Sequence, residues 1–159
     1  FEYVSETYGV PKKELSDSYR NHIPNIKPFE GVIDLMQAIK EKDGKIGIVT
    51  DGRSITQRNK IKALGIINYI DFIVISEEIG TEKPNEANFK AIEANLKCTT
   101  NYYIGDNFKK DFIAPNRLGW QTVALLDAGL NIHSNAYRHQ DEVYLPKNMI
   151  SSIRELCIK

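Results

Sequence analysis

Gly47-Ile48-Val49-Thr50-Asp51-Gly52-Arg53 is the stretch on which the reading of this chain turns. Ile46, Ile48 and Val49 form a short apolar run rich in β-branched residues, which fits a strand over 45–50 and is too brief for a helix. The run ends in a hydroxyl, a carboxylate and a glycine, and Ser54 then offers a helix N-cap. A helix over 54–64 follows, closed by Gly65.

The same alternation continues outward. Residues 71–76 read as a second strand, and 85–95 as a helix with Phe89, Ile92 and Leu96 turned inward. Residues 101–105 read as a third strand, 110–118 as a helix stopped by Gly119, and 120–126 as a fourth strand. Val143-Tyr144-Leu145 suggests a fifth, edge strand, and 149–158 a last helix carrying Ile150, Ile153, Leu156 and Cys157 on one face. Upstream, Val32, Leu35, Met36 and Ile39 give a helical face over 31–41. Before a break at Pro24 to Pro28, Leu15, Tyr19 and Ile23 recur at a spacing of four behind a helix start at Pro11. Strands apolar on both faces that alternate with helices mean an α/β fold: a Rossmann-like, three-layer parallel sheet. Ligands of such sheets bind beyond the carboxyl ends of the strands.

Composition narrows the function. The 159 residues suffice for one domain whose core needs no disulfide or metal staple, and 42% hydrophobic with 26% charged residues is ordinary globular usage. Lys and Arg total 21 against 21 Asp and Glu, so the net charge of zero removes the electrostatic footprint of a nucleic-acid binder. The apolar runs are far too short to span a bilayer. Cys98 and Cys157 stand apart without a CxxC pairing, as reduced, buried or half-buried thiols of a cytoplasmic protein do, and a monomer is the default state. His22, His133 and His139 lack ligand spacing.

Three strand ends carry polar chemistry. Thr50, Asp51 and Gly52 at a helix start form a cradle for an anion such as phosphate, or simply a helix cap. Pro84 restricts Lys83 to extended or turn geometry, which holds its ammonium on the same rim. Gly105-Asp106, with Asp111 five residues on, places two carboxylates where Mg2+ takes oxygen ligands. Taken singly, each also has an ordinary structural explanation as a turn, cap or surface charge.

The ordered set Thr50, Lys83, Gly105-Asp106 and Asp111 resembles the haloacid dehalogenase (HAD) superfamily, in the subgroup of nucleotidases and small-phosphate phosphatases. Gly47 to Gly52, Gln57, Lys60, Leu64-Gly65, Ile75 to Gly80 and Glu82-Lys83-Pro84 extend the likeness. The resemblance implies a Mg2+-dependent phosphohydrolase acting on a small phosphorylated metabolite or nucleotide through an aspartyl-phosphate. In it, Thr50 and Lys83 would be catalytic, and Thr50, Asp51, Gly52 and Lys83 would bind the phosphoryl group. Asp106 would hold the metal, with Asp111 a further ligand or an orienter of Lys83. The family's first motif, DxDxT, supplies the nucleophile from a central strand, and no DxD occurs in this sequence. Without that strand two buried edges would keep unpaired N–H and C=O groups, each costing about 1–3 kcal/mol. The expectation is therefore an upstream strand ending in two aspartates. Residues 1–24 would then be the remnant of a helical cap, 25–159 the core, and the 159-residue chain alone inactive. The alternative is a degenerate domain that binds or scaffolds. A phosphorylation-receiver domain has its acidic residues first, and a dinucleotide-binding domain needs a GxGxxG that is absent here.

Overall fold

The computed structural model describes residues 1–127, 129 and 141–158. Its strands form two parallel sheets. β1 (Gly47–Thr50) pairs with β2 (Phe72–Ile75), register Gly47 to Phe72. β3 (Tyr102–Gly105) pairs with β4 (Gln121–Leu125), which pairs in turn with β5 (Asn148–Ile150). The helices are α1 (Glu2–Tyr8), α2 (Lys12–Asn21), α3 (Val32–Glu41), α4 (Ser54–Ala63), α5 (Ser76–Ile79), α6 (Glu86–Leu96) and α7 (Ile113–Arg117). The fold is α/β and Rossmann-like, as the alternation of patterns requires.

Period-two alternation explains the layers. Val49, Phe72, Val74 and Tyr103 pack in one cluster with Phe89 and Ile92 of α6 and Ala114 of α7. On β4, Val123 and Leu125 turn the other way and meet Val32 and Leu35 of α3, together with Ile150 and Ile153. Asn85 opens α6 by accepting the Ala87 N–H at 2.9 Å, and the helix then covers both sheets. At its centre Phe89 is wholly buried, edge-on to Tyr103 of β3 at 5.1 Å and to Trp120 at 5.6 Å. The Trp120 indole N–H finds an acceptor in Glu93 at 2.7 Å.

Several expected elements shift, each for a local reason. Residues 143–145 form no strand; Glu142–Tyr144 is a 3-10 turn, and the fifth strand lies at Asn148–Ile150, where Met149 and Ile150 take the free edge of β4. The last helix is likewise replaced by that strand and a 3-10 turn at Ile153–Glu155, fixed by a capping box between Ser152 and Glu155; Cys157 is exposed. The helix expected from 110 begins only at Ile113, because Asp111 turns inward instead of capping it. Ser54 is the first residue of α4 and not its cap. Ser76, expected to end the second strand, instead opens α5. α2 ends at Asn21, so Ile23 leaves its stripe, and Tyr19 is exposed. Tyr102 of β3 is 68% exposed. His133 and His139 lie outside the described residues.

Asp71 ties the entrances of β1 and β2. Its carboxylate accepts the Ile46 N–H at 2.7 Å and the Lys40 ammonium, with Lys45 at 3.6 Å. Partial burial works to raise its pKa, but the Lys40 and Ile46 hydrogen bonds and the two lysine charges outweigh it, and the net shift is downward. A carboxylate depressed in the folded state stabilises above its unfolded pKa, about 3.9, and that contribution is lost as pH falls through the lower folded value. Asp71→Asn is therefore expected to cost about 1 kcal/mol at pH 7 and to flatten the acid limb of stability below about pH 4, as read by urea unfolding at stepped pH.

Candidate active site

Thr50 ends β1, and its hydroxyl donates to Gln57 Oε1 at 3.0 Å, one turn into α4. Gly52 follows at φ 125°, a conformation that favours glycine, and a Cβ there would lie 2.8 Å from the Gln57 amide nitrogen. The Gly52 N–H donates to Ser76 Oγ at 2.8 Å. α4 has no cap of its own; Glu77 of α5 accepts the Ser54 N–H at 2.8 Å and pairs with Arg53 at 3.2 Å. The loop after β1 is thus shaped by residues 76 and 77, at the end of β2.

The Asp51 carboxylate meets two lysines. Oδ1 accepts the Lys83 N–H at 3.0 Å, and Oδ2 lies 3.4 Å from the Lys110 ammonium. Lys110 also reaches Glu82 at 3.3 Å. Partial burial works against its charged form, but Glu82 and Asp51 win and hold its pKa above the ordinary value.

Lys83 is the junction. Its ammonium donates to Asp111 Oδ1 at 2.7 Å and to the Tyr103 hydroxyl at 3.2 Å, and the pair is deeply placed, with side chains 13% and 3% exposed. The other oxygen of Asp111 accepts the N–H groups of Asp106 at 3.2 Å and Asn107 at 2.9 Å. One carboxylate therefore folds the loop after β3 and neutralises a lysine from the loop after β2. Gly105 makes this possible: a Cβ there would stand 2.5 Å from Asp111 Oδ2. Burial, and after it the Asp111 charge, pushes the Tyr103 phenol well above its ordinary pKa and keeps it protonated.

These bonds join the three loops that carry Thr50, Lys83 and Asp106. Asp111 has both oxygens engaged, which suits an orienter of Lys83 better than a metal ligand. Among the described residues no group of three His, Cys, Asp or Glu side chains is placed to hold a metal ion by itself. Mg2+ needs only one or two carboxylates beside waters and phosphate, so Asp106 fits as part of a ligand set. A concavity of about 450 Å3 along α2 is lined by Pro11, Lys13, Glu14, Asp17, Ser18 and Asn21, and by none of the loop residues. Sequence reading did not single out the roles of Tyr103, Ser76, Glu77 and Lys110. For Tyr103 the signal was present: it stands two residues before Gly105, hence on the same strand face as the Asp111 carboxylate. Gly105→Ala is expected to drive Asp111 off the loop amides and to cost about 1–3 kcal/mol, measurable as a lower Tm.

The family model for haloacid dehalogenase-like hydrolases matches residues 2–125. The pyrimidine 5'-nucleotidase YjjG of Escherichia coli K12 is 33% identical over 98% of this chain and 67% of its own length. A glyceraldehyde 3-phosphate phosphatase of Methanopyrus kandleri is 33% identical over 82% of this chain and 58% of its own. Among solved structures, the HAD-hydrolase YfnB from Bacillus subtilis bound to magnesium superposes with a TM-score of 0.69 at 21% identity, over 96% of this chain and 66% of that one, a likeness of fold. The chain thus spans between about half and two thirds of the relatives it matches.

Proposed function

The chain belongs to the haloacid dehalogenase-like hydrolases, and on that premise we propose that the polypeptide carrying it hydrolyses a small phosphate monoester, of a metabolite or a nucleotide, with Mg2+. The observation that carries this reading is the Lys83 junction: a buried ammonium held by Asp111 at the point where three strand-end loops are tied together. A binding scaffold has no physical need to bury that charge.

The division of labour follows from the atoms. The Thr50 hydroxyl, now on Gln57, would turn its proton to a phosphoryl oxygen. Lys83 would spend the donor left by Asp111 and Tyr103 on a second oxygen, neutralising charge as it builds in the transition state. Asp106 would hold Mg2+, which when bound supplies positive charge beside the phosphate. The nucleophile would be an aspartate on an upstream strand inserted between β1 and β3. Its carboxylate attacks phosphorus, the ester oxygen leaves with a proton from a neighbouring acid, and water then cleaves the aspartyl-phosphate.

Burial supports the inserted strand. β1 and β3 belong to the layer that α6 covers, yet neither has a fully buried residue, whereas β2 buries Val74 and Ile75, and β4 buries Thr122, Val123 and Ala124. Ile104 of β3 is 39% exposed, in a strand that a continuous sheet would enclose. An added parallel strand would satisfy both edges. In this reading residues 1–24 belong to a helical cap.

The test is phosphate release by the intact polypeptide from nucleoside monophosphates, glyceraldehyde 3-phosphate and other sugar phosphates, with Mg2+ or with EDTA. Release that EDTA abolishes, and that Lys83→Met lowers by about 100-fold or more in kcat, is expected. The 159-residue chain alone is expected to release none. Absence of release across the panel by the intact polypeptide would sink the proposal.

A further inference from the structure

Tyr103 is a member of the junction that touches neither substrate nor metal in the reaction outlined above. Its ring packs against two core clusters: Phe89 of α6 lies edge-on to it in one, and Phe108, Phe112 and Ala124 form the other. A phenol oxygen lies on the axis about which the ring flips, so a ring caged this way holds its hydroxyl at a fixed point. That point is 3.2 Å from Lys83 Nζ and 3.3 Å from Asp111 Oδ1. The same ammonium stands 6.0 Å from the ring centroid.

A lysine reaches its target on four rotatable bonds, and an ammonium has three equivalent donors. One partner fixes its distance and leaves it free to swing. Two partners in different directions fix where the third N–H points. Asp111 is the first, and the hydroxyl of Tyr103 supplies the second as an acceptor, passing its own proton toward Asp111 Oδ1.

We propose that Tyr103 is a positioning residue: its hydroxyl locks the Lys83 ammonium so that one N–H is aimed at the substrate's phosphoryl group. This rests on the phosphohydrolase reading only for its kinetic consequence. The clamp itself is a property of the folded core.

The experiment compares Tyr103→Phe, which keeps the ring, and Tyr103→Met, which fills much of its volume, with the parent in the intact polypeptide. Both lack the hydroxyl, so both serve if one is poorly folded. A lost hydrogen bond to a charged group corresponds to about a tenfold effect, so kcat is expected to fall about tenfold with KM within about twofold. In a Lys83→Met background, Tyr103→Phe is expected to change kcat by less than about twofold, because there is no ammonium left to aim. A merely structural tyrosine would give the same loss in both backgrounds, and that result overturns the proposal. The second readout does not depend on turnover. Reductive methylation with 13C-formaldehyde, followed by peptide mass spectrometry, is expected to label Lys83 at least about threefold faster in either variant, while exposed Lys12 and Lys90 keep their rates. An unchanged Lys83 rate overturns the clamp. A parent protein without phosphate release overturns the phosphohydrolase reading instead, and the labelling rate still decides for or against the clamp.

Discussion

The ion pair of Lys83 with Asp111 is the contact on which the arrangement of the loops depends. A charge taken out of water costs several kcal/mol unless it is matched, so two nearly buried charges from separate loops constrain one another strongly. Asp111 cannot leave without stranding an ammonium on one side and the Asp106 and Asn107 N–H groups on the other. Its position also explains Gly105, since a side chain there would occupy the space of the carboxylate. It explains as well why α7 starts at Ile113: the residue that might have opened an earlier helix is committed inward. Asp51 carries the constraint to the end of β1 through the Lys83 N–H. The strand-end loops therefore stand or shift together.

Beneath them α6 performs the equivalent task for the apolar side. It packs on both sheets, with Ile92 and Leu96 against the bare Cα of Gly47, and Phe89 against Tyr103. Hydrophobic contact has no direction, so a single helix can hold two sheets that share no hydrogen bonds with each other. Burial is low on β1 and β3 and higher on β2 and β4.

Local pattern succeeded where one force acted alone. β-branched runs became strands within a residue or two of their expected limits, and α6 formed within a residue of its expected range. Pattern failed where two partners competed for a residue. Met149 and Ile150 suit a helix face and a strand equally, and the open edge of β4 took them. Ser54 is a good cap in isolation, but Glu77 reached its N–H from another helix. Tyr102 and Tyr103 are indistinguishable in type, and only the pleat of β3 against α6 sends one out to solvent and the other in.

The amino-acid sequence by itself determined the class of fold, the parallel strands and the three loops that bear a hydroxyl, an ammonium and carboxylates, because those follow from spacing along one segment at a time. It also sufficed to place Lys83 and Asp111 among the residues of interest. Only the tertiary structure decided what each polar group does: that Asp51 braces Lys83, that Asp111 spends both oxygens on a lysine and a loop, and that a tyrosine hydroxyl joins them. The bonds to Lys83 join segments 20 or more residues apart, and electrostatic and hydrogen-bond energies depend on distance and burial that no linear pattern contains.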